Sequence, residues 1–106
     1  MTKVRACLRL LTTEEGGRRS PIGSGYRPNH NFGEEGDHEF HIGQITLSGA
    51  STMGPGTTQE VIVEFIPSEG LQSLLKVGRT WRIQEAQRLI GIGEVLEVLS
   101  QRLTER

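Results

Sequence analysis

With 106 residues and 34% hydrophobic side chains, the chain has the length for one domain and one modest core. Twelve basic residues against thirteen acidic ones leave a formal charge of -1, which excludes a global field drawing the protein to nucleic acid or anionic lipid and leaves any such binding to a local patch. Cys7 is the single cysteine, so an internal disulfide and a Cys-based zinc site are excluded. Neither a signal-peptide core nor eighteen consecutive apolar residues occur, and a cytoplasmic setting is expected.

The predicted elements are mostly strands. In KVRACLRLLT, Val4, Ala6, Leu8 and Leu10 alternate with Arg5, Cys7, Arg9 and Leu11, the period of a half-buried strand. Phe32 closes a second, short candidate after Pro28. In EFHIGQITL the apolar positions run Phe40, Ile42, then Ile45, Leu47, and this change of phase near Gly43 predicts a bulge. Val61, Val63 and Phe65 in QEVIVEFIP stand opposite Ile62, Glu64 and Ile66, so both faces of that strand are expected to be largely covered. GLQSLLKVG (70–78) carries Leu71, Leu74 and Leu75 at helical spacing and predicts about two turns of helix bounded by glycine. TWRIQE and LIGIGEVLEVL form a hairpin, and the tail past Ser100 is read as a frayed end that could turn helical. With fourteen glycines between the runs, this spacing predicts a small antiparallel barrel with a mainly aliphatic core.

Chemistry-bearing motifs are sparse. Lys3 and Lys76 are each followed by valine, so no P-loop exists, and GIGEV (91–95) lacks the third glycine and following helix of a dinucleotide fingerprint; small residues needed by a strand explain it better. HNFGEEGDHEFHIG gathers all three histidines. A metal set of His30, His38, Glu39 and His41 is conceivable there, but the parity of His38 and His41 points them to opposite faces of a strand, and a solvated acidic loop is the favoured reading. Asp37 would have to orient a catalytic triad, for which no nucleophile elbow is present. The sequence therefore predicts a non-enzymatic protein without cofactor or metal.

The segment EEGGRRSPIGSGYRP (14–28) carries a different signal. Gly16 and Gly17 supply a turn, Pro21 and Pro28 fix the backbone direction, and the Tyr26 ring is expected to pack on the barrel while its hydroxyl reaches a backbone group. Glu14 to Arg18, Pro21 and Gly25 to Pro28 closely resemble the start of the third, C-terminal domain of bacterial elongation factor Tu. Gly43 with Ile45 and Leu47, Pro55-Gly56, the run GRTWRIQE and the pair Gly91 and Gly93 resemble later motifs of that domain, in order and over nearly the whole chain.

That resemblance implies a six-stranded antiparallel Greek-key barrel over 1–106, with a short helical insertion near 70–78. It also implies a binding role. A protein partner is expected at Arg18, Arg19, Tyr26 and Arg27: the factor's GTPase domain, its regulator, or a toxin that targets it, with a decoy or immunity role in the last case. The alternative is an accessory of translation that touches the tRNA backbone through Arg82, Glu85 and Arg88. The family's hairpin tip reads Arg-Glu-Gly-Gly-Arg-Thr and lies against the T stem of tRNA; here Ala86 and Gln87 replace both glycines, which weighs against that contact. The GTPase domain and second domain have no counterpart in this sequence, and the initial Met with a whole barrel favours a natural gene.

Overall fold

A computed structural model describes residues 2–33 and 39–100. The chain forms β1 (Thr2–Leu10), β2 (Ile22–Gly23), β3 (Asn29–Asn31), β4 (His41–Leu47), β5 (Thr52–Met53), β6 (Thr58–Phe65), α1 (Leu71–Leu74), β7 (Thr80–Glu85) and β8 (Arg88–Ser100). Six strands close an antiparallel barrel in the order β1-β6-β4-β3-β7-β8, and β2 pairs with β5 as a separate two-stranded sheet. The architecture is the all-β barrel that the alternating runs and glycine spacing predict.

β1 behaves as its period demands. Val4, Ala6, Leu8 and Leu10 are buried, while Lys3, Arg5 and Arg9 point outward and pair with Glu64, with Glu60 and Glu97, and with Glu15. This outer face is a solvated ionic stripe whose exposed pairs each contribute little to stability. β6 buries Val61, Val63 and Phe65, while Ile62 and Glu64 are half-buried and Ile66, just past its end, is exposed, so its outer face is only partly covered.

β4 corrects the expected bulge. Its register against β6 runs unbroken from Gly43↔Phe65 to Leu47↔Val61, with Gly43, Ile45 and Leu47 all inward. The phase never changes; the inward place next to Ile45 is simply held by a glycine, and Ile42 points out. A Cβ on Gly43 would lie 3.0 Å from the Phe65 ring and 3.1 Å from His30 Nε2, so the histidine ring occupies the space a side chain would need.

The helical insertion is also shorter than two turns. Leu71 and Leu75 are buried, as helical spacing requires, yet Leu75 already leaves the helix at φ -92° and ψ 82°. Gly78, at φ +89°, then donates to the Val95 carbonyl at 2.8 Å while Val95 donates back to Arg79 at 2.9 Å. Entering β7 alongside β8 ends the helix after one turn.

The core is mainly aliphatic, as expected, with one aromatic cluster gathered from Phe32, Phe65 and Trp81 around His30. Phe32 stacks on Trp81 with centroids 5.2 Å apart, Phe65 meets His30 edge-on at 5.0 Å, and Phe65 meets Trp81 at 6.1 Å. Gly93 makes room for the indole, because a Cβ there would sit 2.7 Å from its ring. This is the small-residue requirement anticipated for 91–95.

His30 is fully buried. The Trp81 indole N–H donates to its Nδ1 at 3.0 Å, and an indole nitrogen can only donate. Nδ1 is therefore the acceptor, and Nε2–H donates to the Gly43 carbonyl at 3.1 Å. Burial pushes the ring down to about pKa 4, against the opposing hydrogen bond to Gly43. The unfolded chain takes up this proton near pH 6.5 and the folded chain only near 4, so stability is complete above 6.5 and falls as pH drops through that window. At about 1.4 kcal/mol per pH unit, urea unfolding at pH 5 should show about 2 kcal/mol less stability than at pH 7. The His30 imidazole resonances should remain those of a neutral ring at pH 5.

Candidate functional site

The loop between β1 and β2 is built before it meets anything else. The Thr12 N–H donates to Glu15 Oε1 at 2.8 Å and the Glu15 N–H to Thr12 Oγ1 at 3.0 Å, a reciprocal pair of the kind that caps helices. Gly16 follows at φ +96°. Gly17 lies so close to β1 that a Cβ would fall 2.6 Å from the Leu11 carbonyl oxygen. Both glycines of EEGGR are thus required by the turn, one for its dihedral and one for its close approach.

Arg18 knits the rest of the loop together. Its Nε donates to the Ser20 carbonyl at 3.1 Å and its Nη2 to Ser20 Oγ at 3.0 Å. Nη1 reaches the Glu85 carboxylate, and the guanidinium lies 5.0 Å from the centroid of the Tyr26 ring. The Tyr26 hydroxyl also donates to the Glu85 carboxylate, and Arg88 Nη2 reaches the other carboxylate oxygen at 3.0 Å. One acid at the tip of the β7–β8 hairpin therefore gathers donors from Arg18, Tyr26 and Arg88.

This arrangement revises two expectations. Tyr26 does pack against the barrel core, but its hydroxyl finds a carboxylate from a distant strand rather than a backbone group. Arg18 is turned inward, its side chain only 20% exposed, and serves the loop itself. Arg19 is exposed and has no side-chain partner among the described residues. Arg27 is exposed too, with Nε and Nη2 donating to Gln44 Oε1 at 3.1 and 2.9 Å.

The predicted RNA-facing set is divided. Glu85 and Arg88 meet each other, whereas Arg82 Nη1 donates to the Gly33 carbonyl at 2.7 Å. At the tip itself, Ala86 adopts φ +55°, a left-handed conformation that glycine takes without steric cost. Of the histidine-rich cluster, His30 is locked in the core, His41 Nδ1 lies 3.0 Å from Ser68 Oγ, and Glu39 is exposed. Asp37 and His38 lie outside the described residues. Among the described residues no three His, Cys, Asp or Glu side chains converge on a common point.

Burial opposes ionisation of Glu85, but the hydrogen bonds from Tyr26 and Arg18 outweigh it and hold the carboxyl below the usual range. Burial, then the neighbouring carboxylate, push the Tyr26 phenol upward, so it stays a donor at any physiological pH. The clamp is thus a phenol and two guanidiniums on one carboxylate. Its contribution is present above the ordinary carboxylate pKa and is lost as pH falls through the lowered one.

No protein-family model matches the chain. The fold and the site define a closed antiparallel barrel carrying a loop platform, 12–28, clamped to a hairpin tip.

Two stability predictions arise from the clamp. Arg18→Ala and Glu85→Gln should each cost about 1–3 kcal/mol, and the double variant should cost less than their sum, because both remove the Arg18–Glu85 contact; urea unfolding of the four proteins measures this. Ala86→Gly should raise stability by about 0.5–1 kcal/mol, since relief of the left-handed strain exceeds the added entropy of the unfolded chain. Thermal melts of the two proteins check it.

Proposed function

We propose that this chain is a non-enzymatic binding module of the kind formed by the C-terminal barrel of elongation factor Tu, working through protein–protein contact. Its partner is a protein of translation or one that targets that factor: the factor's GTPase domain, its regulator, or a toxin, against which the module would act as decoy or immunity protein. One observation carries this reading. Residues of three separate motifs that resemble the family, Arg18 of EEGGR, Tyr26 of GYRP and Glu85 of GRTWRIQE, meet at a single carboxylate. Motifs scattered along a sequence that converge in space act as one unit, and the unit here is a rigid platform with Arg19 at its surface.

Contact with the tRNA backbone is the competing reading. Glu85 brings a negative charge to the hairpin tip, and both of its oxygens are already engaged by Arg18, Tyr26 and Arg88. A phosphate would have to draw the two guanidiniums away from that carboxylate.

Calorimetric titration against purified elongation factor Tu GTPase domain, its exchange regulator and aminoacyl-tRNA, at low and at physiological salt, separates the two. Binding to one of the proteins, with a shallow salt dependence and about tenfold weakening by Arg19→Glu, is expected. Binding to tRNA alone with a steep salt slope would overturn the proposal, and binding to none of them would rule out the GTPase domain and the regulator as partners.

A further inference from the structure

The outer face of β4 and β6 departs from the ionic pattern of β1. Ile42 and Ile66 are 53% and 48% exposed. They stand side by side, since the register that pairs Gly43 with Phe65 brings the preceding and following residues together, and the Ile66 N–H donates to the Ile42 carbonyl at 2.9 Å. One step along the strands lies a polar row. Arg27 reaches Gln44 from the β3 side of β4, and Glu64 is the cross-strand partner of Gln44 on the β6 side. Arg27, Ile42, Gln44, Glu64 and Ile66 line one shallow groove of about 500 Å³.

The order of charge across that groove is informative. A cation lies on one side of β4 and an anion on the other, at the same height, with a neutral amide between them. A surface of that kind is complementary to itself. A two-fold axis lying in the contact plane and running along β4 brings Arg27 of one copy onto Glu64 of the second, repeats the pair on the far side, and sets Ile42 against Ile42. A partner of uniform sign would instead face one like charge, which costs affinity. Glu64 is not withdrawn from such a contact by its own chain, because its pair with Lys3 is long, at 3.7 Å, and exposed on both sides.

We infer that this face is a contact surface between two copies of the chain, joined by the symmetric pairs Arg27–Glu64 around a small isoleucine seam. Isologous association is the common form of self-assembly, and it uses one patch twice. Arg27 belongs to the partner set expected from the sequence, but the contact between copies does not require that partner, and Arg19→Glu should leave it unchanged.

Sedimentation velocity of the full chain from micromolar to millimolar concentration tests it. The unaltered protein should show a concentration-dependent dimer. Arg27→Glu places two like charges at each pair, as does Glu64→Arg, and each alone should weaken the dimer at least tenfold while melting within a few degrees of the parent. The decisive sample is a one-to-one mixture of the two variants, whose unlike copies restore both opposite-charge contacts. Recovery of the dimer in that mixture is expected. A protein that stays monomeric at millimolar concentration, single variants that associate as the parent does, or a mixture no more associated than its components would overturn the inference.

Discussion

The barrel closes through its shortest wall, and one side chain holds that wall in place. β3 contributes three residues between β4 and β7, supplemented on the β4 side by the bridge of Tyr26 to Ile45. His30 adds a second set of bonds to the same two strands, accepting from Trp81 of β7 and donating to Gly43 of β4. The remaining aromatic packing follows from that placement. Gly43 must be small because the imidazole lies over it, and Gly93 must be small because the indole that serves the imidazole lies over that position. A buried polar group is costly unless satisfied, and here both ring nitrogens are satisfied by groups that also fix its orientation.

The loop platform is organised on the same principle around the opposite kind of group. Glu85 is an acceptor without protons, surrounded by donors from segments more than fifty residues away. Its surroundings leave Arg18 and Tyr26 little freedom, which makes the loop part of the barrel rather than an appendage. Rigid presentation of a loop lowers the ordering cost of binding, and this is the physical sense in which structural residues such as Arg18 support a contact they do not make themselves.

Much of the barrel was legible in the sequence because local periodicity reports burial directly. β1 alternates without exception, and the β7–β8 hairpin has the spacing of a two-residue turn. Gly43 misled because an inward glycine leaves a gap in the apolar pattern that is indistinguishable from a bulge until the ring filling the gap is known. The helix over 71–74 stopped early for a reason equally remote, the pairing of Gly78 and Arg79 with Val95. Resemblance singled out Arg18, Tyr26, Glu85 and Arg88 while assigning them to two different surfaces. Their meeting depends on a contact between distant segments that no spacing rule encodes. Gln44, by contrast, carries no sequence signal, and Ile42 reads with Phe40 as the apolar phase ahead of a bulge, not as the exposed residue it is.

The seam between β1 and β8 bears on how the molecule comes to fold. Val4 stands opposite Val98 and Arg5 opposite Glu97, so one of the longest ladders in the barrel joins residues near the two ends of the described chain. Closing so large a loop carries an entropic cost that must be met before the pairing repays it, and topologies of this kind fold slowly for their length. On the ribosome, β1 would emerge with its inward face of valine, alanine and leucines bare, first acquiring β6 as a neighbour and only last β8. The charges on its other face then keep a waiting strand in solution during synthesis.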